Sequence, residues 1–322
     1  MAMPAPQEDD SPIDKEFVGI PSPPNAHLPT SSELLDLCPA ATARGNTTLP
    51  SDSPIFWVKY GYAVFWNEVL AQDKAYHELR RLGSVVRAPA VFYAFRYEST
   101  VYIVMEYIPG KTARKCIEEA KTEAEKEHVV DQVGLSLSEL HRIPVASGSP
   151  PAAIDGGRIR HELFDEQEAP RHYENVDQLE NHLNEFLRRV RRTEKITNLS
   201  LEPMVFCQSD YWPDNFMIDD TGCAVVIDFS DVSILPSSFA SCAAKRNGLG
   251  FSSLGFNIFE RVWFPTTDGV DNTQALLAAC GRMPIGWGML AQLGRMLPGG
   301  DIETQWRIES SVNGPITPDD CW

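Results

Sequence analysis

Three side chains that carry oxygen atoms lie within nineteen positions of one another in the stretch that begins at Gln208. Asp210 and Asn215 are five positions apart, and Asp228 follows thirteen positions later at the end of an apolar segment. Moving the γ-phosphoryl group of ATP onto a hydroxyl requires a carboxylate beside the acceptor and further oxygen ligands for Mg²⁺. The spacing therefore predicts Asp210 as the general base, and Asn215 and Asp228 as the magnesium ligands.

A lysine lies within an upstream apolar segment, Phe56-Trp-Val-Lys-Tyr-Gly61. Lys59 could simply extend its amine to solvent, as lysines on half-buried strands do. Together with the downstream loop, it favours a second interpretation, in which the amine binds the α- and β-phosphates and is held by a carboxylate on the next helix. Glu68 is the predicted partner, and Glu78 is the reserve.

A third apolar segment ends where a linker between two lobes is expected. The backbone of such a linker could hydrogen-bond the adenine edge while apolar neighbours sandwich the ring, although an ordinary buried strand remains the alternative for each residue. The predicted adenine-contacting residues are Met105, Glu106, Tyr107 and Ile108.

The elements around these residues divide the chain into three parts. Residues 1–30 contain seven prolines and predict a disordered arm, or one draped over the fold. Residues 31–109 predict a small mixed lobe in the order short helix, turn, strand, helix, strand, strand, with the polar segment 41–50 as the turn. Residues 110–322 predict a larger, mostly helical lobe that carries the catalytic loop and the acceptor site, with a long loop-like insert at 147–170.

Several other polar or aromatic residues have weaker signals. Tyr211 and Trp212 could wall an acceptor pocket, but packing is favoured; Asp231 could bind a cationic acceptor, but a turn cap is favoured. His141, at the end of an amphipathic pattern, is interpreted as a core or capping histidine. Three acidic residues of the insert could face a cationic substrate, but an exposed acidic loop is favoured. They are Asp165, Glu166 and Glu168.

Composition excludes several classes of protein. The net charge of −17 argues against nucleic-acid and membrane partners; it could favour a cationic acceptor or be an ordinary acidic surface. No apolar run reaches the roughly 18 residues of a membrane span, and the first twenty residues lack a signal-peptide pattern. Seven scattered cysteines without a C-x-x-C pair predict reduced thiols. We expect a cytoplasmic monomer.

The same segments resemble the aminoglycoside phosphotransferase and choline kinase-like family, especially its fungal-type members. The matching segments span about residues 55–240 in order and are FWVKYG, WNEVLAQ, YIVMEYIPG, SELH, QSDYWPDNFMID and VVIDFSDVSILP. The resemblance implies an α+β, bilobal protein kinase-like fold, ATP as donor, Mg²⁺ as cofactor and a small hydroxylated acceptor. It assigns nucleotide and catalytic roles to Lys59, Asp210, Asn215 and Asp228, with a looser match at Glu68.

The chain departs from the family pattern at two places. The family commonly has His-Gly-Asp where this chain has Gln208-Ser209-Asp210, and no glycine-rich phosphate loop precedes Lys59 unless the segment around Gly45 serves. Glutamine could replace the bracing histidine by hydrogen bonding. Because of these departures, two alternatives stay open: a degenerate kinase fold that binds or regulates, and a kinase scaffold recruited for another biosynthetic reaction.

Overall fold

A five-stranded antiparallel sheet and two helices form the smaller lobe. The computed structural model describes residues 13–39, 42–164, 167–246 and 248–280. The strands are Ile13–Val18 (β1), Gly45–Leu49 (β2), Phe56–Gly61 (β3), Val91–Tyr97 (β4) and Thr100–Glu106 (β5), and the helices are Ser31–Leu37 (α1) and Trp66–Arg81 (α2). The strand order across the sheet is β1-β4-β5-β3-β2, which places the strand bearing Lys59 next to the strand that leads to the linker.

The helices of this lobe follow local sequence signals. The hydroxyl of Thr30 accepts from the backbone N–H of Glu33, whose carboxylate accepts from the N–H of Thr30 in return, so α1 begins with a capping box. Helix α2 ends just before Gly83, whose φ of 64° is the left-handed conformation that favours glycine. The predicted helices at these positions and the predicted strand at β3 are confirmed.

Two strands of the sheet were not predicted. Residues 13–18 of the expected arm are not disordered, because they form β1, which pairs with β4 along its length. The pairing is reinforced by an ion pair between Asp14 and Arg96 and by a 2.6 Å hydrogen bond from Tyr93 to Glu16. The segment expected as a turn contains β2, which pairs with β3 from Gly45 to Leu49.

The larger lobe consists of helices around two small sheets. Its helices are Ala113–Glu119 (α3), Glu123–His141 (α4), Val176–Arg189 (α5), Ser237–Arg246 (α6), Gly248–Ser252 (α7) and Thr273–Cys280 (α8). Its strands are Gly110–Thr112 (β6), Ala152–Ala153 (β7), Met204–Gln208 (β8), Phe216–Asp219 (β9), Ala224–Val226 (β10) and Val232–Pro236 (β11). The strand orders are β10-β9-β6 and β7-β11-β8.

One hydrophobic core joins helix α2 to the larger lobe. Ala71, Ala75 and Leu79 on α2 are fully buried in a cluster that also contains Leu137 of α4 and Phe229, which follows Asp228. The helix that bears Glu68 is therefore packed against the lobe that bears Asp228.

Within the described residues, no helix is both long enough and apolar enough to cross a bilayer.

Candidate active site

A single ammonium group lies between two carboxylates contributed by different parts of the fold. The Nζ atom of Lys59 is 2.7 Å from Oε1 of Glu68 and 3.1 Å from Oδ1 of Asp228. Lys59 projects from β3, Glu68 lies in the first turn of α2, and Asp228 follows β10 in the larger lobe. The structure therefore brings together three predicted site residues across the two lobes, and Glu68 rather than Glu78 lies next to the lysine. Glu78 instead pairs with Arg81.

Burial and charge act in opposite directions on these three groups. Burial raises the pKa of Glu68 to about 7, although the Lys59 charge opposes the shift. Burial also acts to raise the pKa of Asp228, but the charge and hydrogen bond of Lys59, together with Arg44 and Ser230, outweigh burial and the pKa is lowered. The same two carboxylates raise the pKa of Lys59 despite the opposing effect of burial. The lysine is thus held as a cation and Asp228 as an anion.

The predicted base lies on the loop between β8 and a 3₁₀ turn at Pro213–Asn215. The side-chain amide of Asn215 donates to the backbone carbonyl of Asp210 at 3.1 Å, which closes the loop on itself. Burial raises the pKa of Asp210, and the charges of Asp228 and Asp231 raise it further against an opposing hydrogen bond from Asn215. A raised pKa makes the carboxylate a better proton acceptor than an ordinary aspartate.

Gln208 occupies the position at which the family that this chain resembles commonly has histidine. Its Nε2 atom donates to the carbonyl oxygen of Asp228 at 2.7 Å, and its Oε1 atom accepts from the N–H of Ser209 at 3.0 Å and of Asp210 at 3.4 Å. The side chain is fully buried. The expectation that glutamine braces the loop by hydrogen bonding is confirmed.

The backbone at Asp228 is held in an uncommon conformation. Its φ is 58°, in the left-handed region that few residues other than glycine adopt. The hydrogen bond from Gln208 fixes its carbonyl, and the N–H of the preceding residue, Ile227, donates to the carbonyl of Asn215 at 2.9 Å. These bonds place the Asp228 carboxylate at Lys59 and couple it to the loop that bears Asp210.

The donor set fits a magnesium ion. Asn215 uses its side-chain nitrogen for the hydrogen bond to Asp210, so its side-chain oxygen is left as a metal ligand. The lowered pKa of Asp228 keeps that side chain as a carboxylate. Mg²⁺ prefers oxygen ligands and takes only one or two from the protein when phosphates supply others. Among the described residues, no cluster of three or more His, Cys, Asp or Glu side chains could hold a metal ion.

Asn67 was not predicted from sequence, although it precedes Glu68 directly. Its buried amide donates to the carbonyls of Ser230 at 3.1 Å and Val232 at 2.9 Å, and it accepts from the N–H groups of Ile154 at 2.7 Å and Asp155 at 3.3 Å. It thereby ties the start of α2 to the insert and to the segment after Asp228. Since all four partners are distant in sequence, no local signal could have identified it.

The prediction that Asp231 caps a turn is wrong, and its carboxylate is not open to a cationic acceptor either. Asp231 accepts from Nε and Nη2 of Arg160 at 3.1 and 2.9 Å, and both side chains are buried. The Arg160 guanidinium also lies 3.7 Å from the ring centroid of Phe65. The insert is consequently fixed to the segment that follows Asp228 by a buried ion pair.

The linker residues already use part of their hydrogen-bonding capacity. The N–H of Glu106 donates to the carbonyl of Ala90 at 2.9 Å, and the N–H of Tyr107 donates to the carbonyl of Ile55 at 3.0 Å. The Glu106 carboxylate accepts from Arg87 at 2.8 Å and from the N–H of Ala90 at 3.2 Å. Met105 and Ile108 are buried. Adenine contact by these four residues stays a prediction, and the N–H groups of Glu106 and Tyr107 are already bonded to protein.

The weaker candidates mostly have structural roles. Tyr211 is fully buried and donates to the carbonyl of Ala240 at 3.3 Å, as expected for packing, whereas Trp212 is half exposed beside Arg114. His141 is a buried histidine whose Nδ1 donates to the carbonyl of Trp263. In the insert, Glu168 pairs with Arg158 and Arg160, whereas Asp165 and Glu166 lie outside the described residues.

The arrangement of a β-rich lobe, a helical lobe, a strand lysine paired with a helix glutamate, and an aspartate loop defines an α+β protein of the bilobal kinase-like fold. A family model described as the phosphotransferase enzyme family (APH) matches residues 67–237 of the 322. The chain therefore belongs to the phosphotransferase enzyme family.

Comparison with solved structures gives remote similarities. A thermostable mutant of aminoglycoside phosphotransferase APH(4)-Ia in its apo form is 15% identical, with 89% of this chain and 100% of that chain covered and a TM-score of 0.44. The streptomycin–ATP–APH(2'')-IIa ternary complex is 15% identical, with 89% and 97% covered and a TM-score of 0.41. Aminoglycoside phosphotransferase APH(3'')-Id from Streptomyces rimosus is 12% identical, with 76% and 94% covered and a TM-score of 0.39. No curated protein matches the chain.

Proposed function

We propose that this protein is an ATP- and Mg²⁺-dependent phosphotransferase that moves the γ-phosphoryl group to a hydroxyl of a small molecule. The observation that carries the proposal is the position of the Lys59 ammonium between Glu68 and Asp228, with the Asp228 backbone bonded through Gln208 to the loop that bears Asp210. Family membership supports phosphoryl transfer as the reaction. A cytoplasmic location and a monomeric state stay predictions.

In the proposed reaction, Asp210 accepts the proton of the acceptor hydroxyl as that oxygen attacks the γ-phosphorus. A new P–O bond forms to the acceptor, the bond between the γ-phosphorus and the bridging oxygen breaks, and ADP leaves with that electron pair. Lys59 binds the α- and β-phosphates, and Glu68 holds its amine in place. Asn215 and Asp228 would hold Mg²⁺, which neutralises charge on the phosphates when bound.

The test separates the base from the nucleotide site. Asp210→Asn should abolish transfer to an alcohol panel while leaving Mg-ATP affinity close to that of the parent protein. Asp228→Asn should lose metal-dependent nucleotide binding. Asp214→Asn is the matched control, because Asp214 lies on the same loop but is exposed and paired with Arg114. Parental turnover in both Asp210→Asn and Asp228→Asn would show that the roles are wrongly assigned.

Two other candidates are weaker on this geometry. A degenerate binding or regulatory module is suggested by the Gln208-Ser209 departure, but the hydrogen bonds of Gln208 keep Asp210 and Asp228 connected. Tight nucleotide binding without phosphorylation of any alcohol would favour the module. Recruitment of the scaffold to another biosynthetic reaction is disfavoured because Lys59, Asp210, Asn215 and Asp228 are all present.

A further inference from the structure

Two buried cysteine side chains meet between helices α6 and α8 of the larger lobe. The Sγ atom of Cys242 lies 3.8 Å from the Sγ atom of Cys280, and both are free thiols. The two residues belong to the same hydrophobic core cluster and are 0% and 2% exposed. Since a disulfide joins sulfur atoms about 2 Å apart, closing this bond requires an approach of roughly 1.8 Å.

Hydrogen bonds hold the two helices together beside the thiols. The N–H of Asn272, which directly precedes α8, donates to Oγ of Ser238 at 2.9 Å. The hydroxyls of Ser241 and Thr273 share a further hydrogen bond. The start of α8 is therefore fixed to α6, and Cys280, the last residue of α8, meets its partner at the other end of the same helix.

The two sulfur atoms differ in their surroundings. The hydrogen bond from Cys242 has the largest effect on Cys280 and lowers its pKa; burial opposes this shift, and the charge and hydrogen bond of Arg246 lower the pKa further. The pKa of Cys242 is raised well above its usual value because that side chain donates the shared hydrogen bond and is buried. Cys280 is thus the sulfur that is more readily deprotonated, and the thiolate is the form that reacts with oxidants.

Two other described thiols have backbone partners. The Sγ atom of Cys207 donates to the carbonyl of Gln208 at 3.7 Å, and the Sγ atom of Cys223 donates to the carbonyl of Val85 at 2.9 Å. Burial raises the pKa of both thiols. A lowered pKa and a neighbouring sulfur atom occur together at Cys280, which makes the pair between α6 and α8 the better candidate for oxidation.

We propose that Cys242 and Cys280 form an oxidation site, which hydrogen peroxide converts to a disulfide between α6 and α8. The Cys280 thiolate attacks one peroxide oxygen, so that an S–O bond forms, the O–O bond breaks and the other oxygen leaves as hydroxide. The Cys242 sulfur then attacks the sulfur of this sulfenic acid. The S–S bond forms, the S–O bond breaks, and the departing hydroxide takes the Cys242 proton and leaves as water. The two sulfur atoms are oxidised and the peroxide is reduced.

The disulfide acts on the support of the loop that bears Asp210. Helix α6 contacts that loop, because the hydroxyl of Tyr211 donates to the carbonyl of Ala240 at 3.3 Å. A covalent bond between α6 and α8 restricts the unfolded chain and so stabilises the folded one. Hydrogen peroxide is little larger than water and reaches buried thiols through local opening. The inference is independent of the proposed function, since it requires neither nucleotide nor acceptor.

The experiment treats the reduced full chain with hydrogen peroxide under native conditions, blocks the remaining thiols with N-ethylmaleimide and maps the cysteines by mass spectrometry. Digestion with trypsin and a protease that cleaves after aspartate is required, because Asp228 and Asp231 separate Cys223 from Cys242. We expect a linked peptide that contains Cys242 and Cys280. The midpoint of thermal unfolding should rise by about 5 °C, and dithiothreitol should reverse the rise.

Two variants and the parent protein decide the outcome. Peroxide should not raise the thermal midpoint of Cys280→Ala, whereas Cys207→Ala, which removes another buried thiol of the same core, should keep both the link and the rise. The inference is overturned if the parent protein shows no linked peptide at peroxide concentrations that oxidise the partly exposed Cys116 and Cys223. A link that forms only in denaturant, or one that leaves the thermal midpoint unchanged, also overturns it. Mapping of the parent protein gives the answer even if a variant fails to fold.

Discussion

Gln208 donates a hydrogen bond of 2.7 Å to the carbonyl oxygen of Asp228 and accepts another from the N–H of Asp210. One neutral side chain thus connects the proposed base to the proposed metal ligand. Unlike a histidine, glutamine does not titrate, so this connection is independent of pH in the physiological range.

Replacing Gln208 with glutamate tests this connection. The change keeps the shape but removes the donor, so the carboxylate would face the Asp228 carbonyl in a buried site. We expect kcat/KM to fall by at least about 10-fold, in line with the roughly 1–3 kcal/mol cost of an unsatisfied buried group. Gln132→Glu is the control, since Gln132 also donates to a backbone carbonyl, that of Gly222, away from the cleft. Equal effects of the two changes would contradict the positioning role.

Glu68→Gln should separate the two candidate partners of the lysine. Glutamine cannot neutralise Lys59, so the ammonium would turn toward Asp228, and we expect Mg-ATP affinity to fall about 10-fold. Glu78→Gln on the same helix removes a carboxylate whose ion-pair partner among the described residues is Arg81, and it should leave the affinity unchanged. Titration of both variants with Mg-ATP checks the assignment, which fails if Glu78→Gln has the larger effect.

Asn67→Asp should loosen the start of α2. It removes both hydrogen bonds donated to Ser230 and Val232 and buries a charge, so we expect a loss of about 2–4 kcal/mol in the free energy of unfolding and a lower kcat. Denaturant unfolding, hydrogen exchange over residues 66–81 and steady-state kinetics provide the measurement.

Asn184→Asp is the matched control for this change. Asn184 bridges the backbone of Ile196 in the same manner, with bonds of 2.8 and 2.9 Å, but lies on α5. It should lower stability without raising exchange in α2 or changing kcat. A normal kcat in Asn67→Asp would show that the tether does not position Glu68.

His161 should contribute to acid sensitivity. Its Nε2 donates to the carbonyl of Phe239 and its Nδ1 accepts from the N–H of Leu163, an arrangement that only the neutral ring satisfies. Burial lowers its pKa from 6.5 to about 3. The unfolded chain therefore binds a proton that the folded chain does not, and stability present above pH 6.5 is lost as pH falls toward 3.

The measurement is the free energy of unfolding against pH for His161→Asn and the parent protein. Asparagine can accept from Leu163 without titrating, so the variant should lack a slope of up to about 1.4 kcal/mol per pH unit below pH 6.5. His172→Asn, which changes an exposed histidine, should follow the parent curve. The interpretation is wrong if the two variants have the same slope.

More of the candidate site than of the smaller lobe that supports it could be predicted from the sequence. Lys59, Asp210, Asn215 and Asp228 are identifiable because the reaction restricts both residue type and spacing, and a charged residue on an apolar strand is conspicuous. Their roles as base, metal ligands and phosphate contact stay predictions that the geometry supports.

The missed elements depend on partners distant in sequence. Strand β1 has three adjacent charged residues, 14–16, and becomes a strand through its pairing with β4. Strand β2 is polar and begins with glycine, and it is likewise defined by β3. Asp231 resembles a local cap until Arg160, 71 positions earlier, meets it in the folded chain. Local patterns do not specify such long-range pairs.

The tether at Asn67 has a consequence for control of the protein. In a switchable enzyme of this architecture, the helix that bears the glutamate could swing away and separate it from the lysine. Here four hydrogen bonds and a shared apolar core anchor that helix to the larger lobe, so the ion pair is assembled in the resting chain. We therefore expect the reaction rate to depend on the concentrations of nucleotide and acceptor, with no activating modification required.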